Sequence, residues 1–590
     1  MQSLANLASN IIDREGFASC TNDFSRITHL LSCSEFVSLL QKPSSLLDEQ
    51  TTYLKCTKTS SEYREKGNEA YASRNDHLAL TFYNQAIRYA PSYSRELSLA
   101  YGNRSAALFN LKHYHLASQD VHRALNLLSL NEEDDIRRER LEQRLQQCLK
   151  NKSEEIDTNN NENNQLENEF EQLKSNQTFN INYPSLTTYA DIHTSLDRGR
   201  HVVSANASSS SSLLKPGTII LIEQAYASVL LPSAWFTHCH MCLRRLHLIL
   251  FVCSQCTRAV YCSLDCLQQS IAWHAFECRL SIDRLDKMQL LALRLITKTG
   301  WQYLYKNKLE FENYLKQNKT EFEIENSNKN IYQWNNYENI LKLETNSHKR
   351  TVDDLFQRSI QACVIGLSLI NNTSFSGEAY ENLDYQIYIC SLILSHLQSL
   401  PCNAHEISEF IYHRLSPLSS SCIEIGAGIY ATLSLFNHSC NPNVIRNFIG
   451  ETVIVRLLSS ISSNNIELLD NYGCLSATMN KDERQKKLNE QYHFECQCQP
   501  CIEQWPNYDQ LPEGTGEKNI TSTKFDEAFK HLIEGEKPSK DDLNIFEEFI
   551  AECDEQMQGN KSIKGKVYNN AQEAYKQCLN FFYHSIHIED

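Results

Sequence analysis

Eight side chains between Cys239 and Cys278 have the types and spacing to hold metal ions. Cys239 and Cys242 form one C-x2-C pair, Cys253 and Cys256 a second; Cys262 and Cys266 follow, and His274 and Cys278 close the segment. A closed tetrahedral zinc site needs four thiolate or imidazole ligands, so eight ligands make two complete sites and leave no position for water. That chemistry is structural. In so short a segment with little core, bound metal supplies most of the folding free energy. Buried free thiols are the alternative reading, and the repeated spacing argues against it. His238, His240 and His247 are nearby imidazoles for which a solvated role is expected rather than ligation.

A second constellation lies downstream. Residues 433–443 read LSLFNHSCNPN, residues 466–473 read IELLDNYG, and residues 491–501 read QYHFECQCQPC. Cys496, Cys498 and Cys501 give C-x-C-x2-C, three ligands without a fourth in line. A tetrahedral site needs one thiolate from elsewhere, and Cys440 is the motif-bearing candidate. Such a bond would staple the NHSC loop to the cysteine tail.

The elements that must position these groups are spread over 590 residues, about four times the roughly 150-residue domain prior, so several folding units are expected. Hydrophobic residues at 41% and aromatics at 10% are ample for large cores. With 56 basic against 72 acidic side chains the formal charge is −16, a poor match to a phosphate backbone. This argues against direct DNA binding and for a basic segment of another protein as partner. No run of about 20 apolar residues is present, and the start lacks a basic region followed by an apolar core. No membrane association and a soluble, intracellular chain of cytoplasm and nucleus are therefore expected, in which 22 cysteines favour zinc over disulfides.

Residues 60–127 repeat with a period near the 34 residues of tetratricopeptide (TPR) helical hairpins. Gly67, Ala79, Tyr83, Ala86 and Pro91 occupy the first unit's small, aromatic and helix-stopping positions, and Ser105, Leu108, Ala117 and Ala124 match them in the second. Two repeats rarely suffice, so the Arg-rich segment 134–149 is expected to form a third helix pair or a cap. Residues 1–57 have a helical look around 36–47 and are expected to pack on the segment next to them in sequence. Residues 151–179 are rich in Asn, Glu and Gln and read as a solvated linker or loose helix. The run of serines at 208–212 reads as a loop insertion between two strands, and the Asn- and Lys-rich stretch 305–350 as a surface excursion. β-Branched runs broken by Pro216 and Gly217 suggest strand, turn and strand, and the end of the chain has helical apolar spacing.

With Tyr261 before Cys262 and the final H-x3-C, residues 239–278 resemble a MYND zinc finger. That resemblance implies interleaved ligands: Cys239, Cys242, Cys262 and Cys266 on one ion, and Cys253, Cys256, His274 and Cys278 on the other. It also implies a proline-containing peptide as a partner of the finger. The NHSC, LDNYG and cysteine-tail segments together resemble the SET domain of protein-lysine methyltransferases. With the inserted finger and the repeats, residues 60–145 and 190–505 resemble the TPR-bearing branch of the SET-and-MYND family. The implied fold is multidomain α+β, with TPR-like helical hairpins, a split SET β-fold carrying the finger, and a C-terminal helical region. Its divisions are an N-terminal helical segment at 1–57, repeats at 58–150, a linker at 151–185 and the first SET part at 186–236. The finger occupies 237–278, the SET remainder with an insertion 279–480, a post-SET zinc segment 481–505 and the helical region 506–590.

The resemblance implies transfer of a methyl group from S-adenosylmethionine to a lysine of a protein, histone or otherwise, with three structural zinc ions. Arg198, Gly199 and Arg200 would line the methyl donor, Asn437 and His438 would contact it, and Phe494 would stack near its adenine. Tyr472 would stand beside the transferred methyl and Tyr492 would wall the lysine channel, with Glu467 as the acidic residue preceding that tyrosine. The chain departs from the pattern at His201, where many relatives carry a second glycine, and at Asn464, Asn465 and Ile466, where a Gly-Glu-Glu-like run is usual; its C-terminal helical part also looks short. A non-catalytic adaptor or co-regulator with a degenerate SET fold is the alternative. TPR proteins that grip acidic chaperone tails line a concave face with a basic side chain and two asparagines. Arg64, Asn68 and Asn103 fall at those positions, and Arg140 and Arg144, one turn apart, would complete the clamp.

Overall fold

The computed structural model describes residues 2–40, 47, 53–128, 132–152, 162–205, 213–317, 331–377, 381–516, 520–556 and 563–589. The serine run 208–212 and residues 153–161 of the expected linker lie outside them; the linker's second part is the helix Glu162–Ser175. The chain clusters into two compact units, one of Met1–Leu46, Glu171–Val229 and Leu285–Asp590, the other of Leu47–Phe170 and Leu230–Arg284. No helix among the described residues is long and apolar enough to cross a membrane.

In chain order the strands are β1 Ala190–Ser195, β2 Gly199–Ser204, β3 Ile219–Gln224, β4 Ala227–Leu230, β5 Phe251–Val252, β6 Val260–Tyr261, β7 Ala404–His413, β8 Ser421–Ile429, β9 Val444–Ile449, β10 Thr452–Leu457 and β11 Ile586–Glu589. The first unit holds three small sheets, in the orders β1-β2, β3-β10-β9 and β11-β7-β8-β4. The Pro216-Gly217 turn leads into β3 with Gly217 at φ +82°, where a Cβ would lie 2.6 Å from the Tyr575 hydroxyl, so only glycine fits. Three C-terminal helices, Thr523–Ile533, Lys540–Gln556 and Lys566–Tyr583, bury Phe525, Phe546, Phe549, Tyr568 and Tyr575 in one cluster. Beyond them β11 pairs parallel to β7, a strand where the sequence suggested only helix.

Two expectations are corrected. Three helices, Gln2–Ala8, Arg14–Ala18 and Asp23–Leu31, precede Ser34–Leu40, and residues 41–46 lie outside the described residues. Lys55 and Cys56 do bond the adjacent hairpin, at the Arg88 and Tyr89 carbonyls, but residues 2–40 find partners far along the chain. Asp23 accepts from Gln398 at 2.8 Å, and Phe17 meets Phe356 edge-on at 5.1 Å, so their partners are the helices Val352–Asn372 and Leu383–Asn403. Nor is the Asn- and Lys-rich stretch a surface excursion over its described parts. Asn336 caps the helix Tyr337–Leu341, and Tyr337, Ile340, Leu341 and Leu343 are buried, with the Tyr337 hydroxyl 2.8 Å from His396 Nε2. The asparagines that made the stretch look solvated include a helix cap.

In the second unit, helices Thr57–Ala72 and Asp76–Tyr89 form one antiparallel hairpin, Arg95–Asn110 and Tyr114–Leu125 a second. They approach closely because Gly67 meets Tyr83, where a Cβ would lie 2.4 Å from its ring, and because Ala79, Ala86, Ala117 and Ala124 are wholly buried. Ala90 turns extended before Pro91 and ends the second helix. A single helix, Glu132–Lys150, comes next, where a helix pair or a cap was expected, and its Leu141 packs on Val121 and Ala124.

The Cys/His-rich segment docks on the hairpins through residues 248–252. Arg104, wholly buried, makes two bonds to Asp120 at 2.6 and 2.9 Å and reaches Asn84 Oδ1 at 2.7 Å and the Leu250 carbonyl at 3.2 Å. Asn84 in turn donates to the Leu248 carbonyl at 3.0 Å. Removing one partner of a buried ion pair leaves an uncompensated charge and costs about 3–5 kcal/mol. Asp120→Ala is therefore expected to lower the stability of the full chain by about that amount in urea unfolding, and adding Arg104→Met should recover part of it; an unchanged midpoint in the single variant would contradict this account.

Candidate metal centres and active site

The twelve candidate ligands fall into three groups of four. Cys239, Cys242, Cys262 and Cys266 form one, Cys253, Cys256, His274 and Cys278 the second, and Cys440, Cys496, Cys498 and Cys501 the third, with the ligand atoms of each group within 4.8 Å of one another. With Zn–S bonds of about 2.3 Å and Zn–N bonds of about 2.0 Å, a tetrahedral site has edges of about 3.8 Å between sulfurs and about 3.5 Å from sulfur to nitrogen. The observed spacings match: Cys242 to Cys262 and Cys262 to Cys266 are both 3.6 Å, Cys253 to Cys278 is 3.8 Å, Cys256 to His274 Nε2 is 3.5 Å, and Cys440 to Cys501 is 3.6 Å. All eleven thiols are free of disulfides. The donor sets fit zinc.

Local structure sets these positions. Ser263 caps the helix Leu264–Glu277 by accepting from the Cys266 N–H, which puts Cys266 in its first turn, while His274 and Cys278 stand four residues apart at its end. The Met241 and Gln255 N–H groups point back at Cys239 and Cys253 sulfurs, at 3.4 and 3.3 Å, as amides do toward thiolates. His238 and His240 are buried, not solvated as expected, whereas His247 is exposed; none of the three joins a four-ligand group.

In the first unit, residues 437–443 cross residues 467–474. Ser439 N–H donates to the Asp470 carbonyl at 2.8 Å and Asp470 N–H to the Asn437 carbonyl at 2.9 Å. The Asn443 side chain accepts from Leu469 N–H at 2.7 Å and donates to the Glu467 carbonyl at 2.9 Å. The Asn471 amide donates to the Ser439 and Cys474 carbonyls while its oxygen accepts from Gly473 and Cys474 N–H groups. On the other side, Leu468 N–H donates to Val202 and Ser204 N–H to Ile466, which ties the crossing to β2. The carboxylate of Glu467 gathers Arg198 at 2.8 Å and the Asn437 amide at 2.9 Å.

The expected donor-binding residues are thus brought to one edge of this crossing. Gly199 sits at φ +64°, a left-handed conformation, and Asn437 also donates to the Arg198 carbonyl at 3.3 Å. Arg200 lies over Tyr332, 6.0 Å from its ring, and donates to the Lys342 carbonyl. The His438 ring accepts from Tyr472 N–H at 3.1 Å through Nδ1, and its Nε2 lies 3.4 Å from Cys440 sulfur. Burial pulls the His438 pKa down to about 4, so the imidazole is neutral and carries its proton on Nε2. Its ring holds the crossing together. The Tyr472 hydroxyl donates to the Phe436 carbonyl at 2.7 Å; its ring lies 5.2 Å from His438 and 4.7 Å from Tyr492, and Phe494 lies 6.2 Å from His438. Burial raises the Tyr472 phenol well above its ordinary range and Tyr492 to about 12.

No family model matches the chain. Among curated proteins it is similar to the protein-lysine N-methyltransferase SMYD4 of Danio rerio, 26% identical over 541 residues that cover 80% of this chain and 68% of the relative. It is 25% identical to the protein-lysine N-methyltransferase SMYD4 of Homo sapiens over 74% of this chain and 66% of that one. It is also 25% identical to the histone-lysine N-methyltransferase ASHR1 of Arabidopsis thaliana, over 49% of this chain and 51% of that protein. These similarities support a relationship to the SET and MYND protein-lysine methyltransferases. It spans about two thirds of the length of the SMYD4 relatives it matches.

Two departures from the family pattern have a structural reading. His201 lies in β2 outside the left-handed residues, and its Nδ1 is 3.0 Å from the Gly199 carbonyl, so only Gly199 needs glycine's freedom here. Asn465 takes φ +63°, a conformation asparagine tolerates, where relatives of the family often carry a Gly-Glu-Glu-like run. Sequence reasoning missed Asn443 and Asn471, whose amides pin the crossing, and Arg446, which pairs with Asp470 at 3.1 Å and reaches His405 at 2.7 Å. The signal available was an Asn next to Pro or two residues before Gly inside a motif, where a side-chain amide can bond backbone.

In the second unit the expected clamp is only partly assembled. Asn103 donates to Asn68 at 2.7 Å, as does the Tyr83 hydroxyl at 3.0 Å. Arg144 is engaged with the Gly102 carbonyl and the Ser105 hydroxyl, and Arg140 is exposed. Arg64 Nε is buried without a hydrogen-bond partner among the described residues. Native mass spectrometry of the full chain is expected to show three zinc ions, and two in Cys440→Ser; a folded chain without zinc in reducing buffer would overturn the metal reading.

Proposed function

We propose that this chain is a protein-lysine N-methyltransferase that moves a methyl group from S-adenosylmethionine to a lysine of a protein substrate. The observation that carries the reading is the Tyr472 hydroxyl fixed on the Phe436 carbonyl, 2.7 Å away, at a crossing lined by Tyr492 and Phe494, in a chain similar to named protein-lysine methyltransferases. In this reading β2 and the strands before the finger join the later strands as a split SET fold, residues 239–278 are the MYND finger, and the two hairpins are TPR-like. Three zinc ions hold the finger and the cysteine tail. We place the chain in cytoplasm and nucleus, with a proline-containing peptide as a partner of the finger.

S-adenosylmethionine, when bound, supplies a methyl group on a positively charged sulfur. Arg198, Gly199, Arg200, Asn437, His438 and Phe494 are the residues proposed to hold it. The left-handed Gly199 leaves a backbone without a Cβ at that edge, and Glu467 fixes Arg198 and Asn437 relative to each other. The work left to the chain is alignment and exclusion of water, a positioning task. Tyr472 stays a neutral phenol whose oxygen offers lone pairs to a carbon bearing partial positive charge, while its proton is held by Phe436. Tyr492, ring to ring with Tyr472, gives an apolar and π-rich wall that suits the stem of a lysine and its cationic product.

Purified full chain is expected to bind S-adenosylmethionine in calorimetry and to consume it with a protein substrate. Tyr472→Phe should keep that binding and lose turnover by about 100-fold, the scale of a misplaced reacting group. Absence of binding by the folded, zinc-loaded chain, or full turnover in the variant, would contradict the reading.

The unpartnered Nε of Arg64, beside Asn68 and Asn103, favours a second, binding role: capture of an acidic chaperone tail through its terminal carboxylate. An acidic peptide with a free C-terminus should bind and its amidated form should not, and joint replacement of Asn68 and Asn103 by Ala should abolish binding. Equal affinity for the two peptides would remove this role.

A further inference from the structure

Where the turn after β7 meets the C-terminal helices, the first unit encloses an open cavity of about 270 Å³. No residue of the proposed methyl-transfer site lines it. That volume is near the lower end of ligand pockets, at about 300 Å³, and far above the roughly 30 Å³ a water occupies. Phe410 and Tyr412, two residues apart on β7 and so on one face of the strand, form its floor, and Phe529 and Leu532 of the helix Thr523–Ile533 form a wall.

Two features point to an occupant. Around the mouth, Leu418 is 71% and Ile533 52% exposed, large apolar side chains left in water at the edge of an apolar hole. At the same rim stand two carboxylates. Glu573 carries an ion pair with Lys576 at 3.4 Å, whereas Glu536 has no ion pair among the described residues.

We infer that this cavity is a peptide-docking site, separate from the methyl-transfer site, for a protein segment carrying one large apolar side chain next to a lysine or arginine. The apolar side chain fills the cavity against Phe410 and Phe529. Glu536 pairs with the neighbouring cation. The free carboxylate selects a basic partner over an acidic one, in keeping with a chain whose formal charge is −16.

The test is calorimetry on the full, zinc-loaded chain without methyl donor, so its outcome is independent of turnover. Three blocked pentapeptides serve as probes: Ala-Lys-Phe-Lys-Ala, Ala-Lys-Ala-Lys-Ala and Ala-Glu-Phe-Glu-Ala. The first is expected to bind at least about tenfold more tightly than the other two, as loss of a buried anchor side chain commonly costs. Leu418→Glu and Glu536→Lys, both at exposed positions that leave the core intact, should each weaken it by about tenfold or more. Undetectable binding of the first peptide, equal binding of the Glu-flanked one, or unchanged affinity in Leu418→Glu would each overturn the proposal. So would a dimer in sedimentation that Leu418→Glu dissolves, which would assign the cavity to a second copy of the chain.

Discussion

The structure around the candidate active site depends on two asparagine amides that tie one loop to another. Asn443 and Asn471 each use both their oxygen and their nitrogen on backbone groups of the crossing. A loop that passes beneath another has backbone N–H and C=O groups that neither helix nor sheet can satisfy, and an unmet one costs about 1–3 kcal/mol. An amide side chain, one acceptor and two donors at a fixed spacing, fills several such needs at once. The β9–β10 hairpin returns the chain between the two loops, so residues 443 and 469 meet although 26 positions separate them. The crossing therefore rests on one tight hairpin, these two amides, the His438 ring and the backbone bonds of Asn437 and Ser439 with Asp470.

What the crossing carries is a shared set of directions. Ser439 and Cys440 leave it toward the cysteine tail, where the Cys440 N–H points at Cys498 sulfur at 3.4 Å. Tyr472 leaves it toward Phe436, and Glu467 reaches back to the start of β2. His438 lies between, bonded to the Tyr472 backbone on one ring nitrogen and facing Cys440 on the other. One ring thus lies between the cysteine corner and the tyrosine. Charge inside this region is matched rather than isolated: Asp470 is buried but faces Arg446, and burial raises its pKa while that guanidinium lowers it.

The metal groups were legible in the sequence because coordination is a counting rule with short range. Four ligands are needed, so a run of three asks for a fourth, and the Cys440 sulfur lies 3.6 Å from Cys501. The helical hairpins were legible for a similar reason: close helix crossings demand small residues at a fixed period, and Gly67 with its four buried alanines supplies them. Contacts between distant segments leave no such trace. Nothing local in residues 1–40 says that Asp23 will meet Gln398, and an asparagine looks alike whether it faces water or caps a buried helix, as Asn336 does. The burial of His238 and His240 is illegible for the same reason, since a polar type next to a metal-ligand motif carries no sign of depth.

The union of the hairpins with the Cys/His-rich segment shows how one short extended stretch can be read twice. In residues 248–250 the carbonyls of Leu248 and Leu250 face the same way and are taken by Asn84 and Arg104. Ile249, between them, buries its side chain in the cluster of Leu80, Tyr83 and Leu108, against which Leu248 also packs. Backbone recognition alone would accept any sequence here, and apolar burial alone would tolerate a slip along the groove. Together they fix the register, because a shift along the groove would break both hydrogen bonds and withdraw Ile249 from the cluster at once. The Arg104 charge that makes this possible is buried only because Asp120 neutralises it with two bonds. Metal ligation then has to fix only the interior of the segment, while its placement on the hairpins is set by hydrogen bonds and apolar contact that contain no ligand atom.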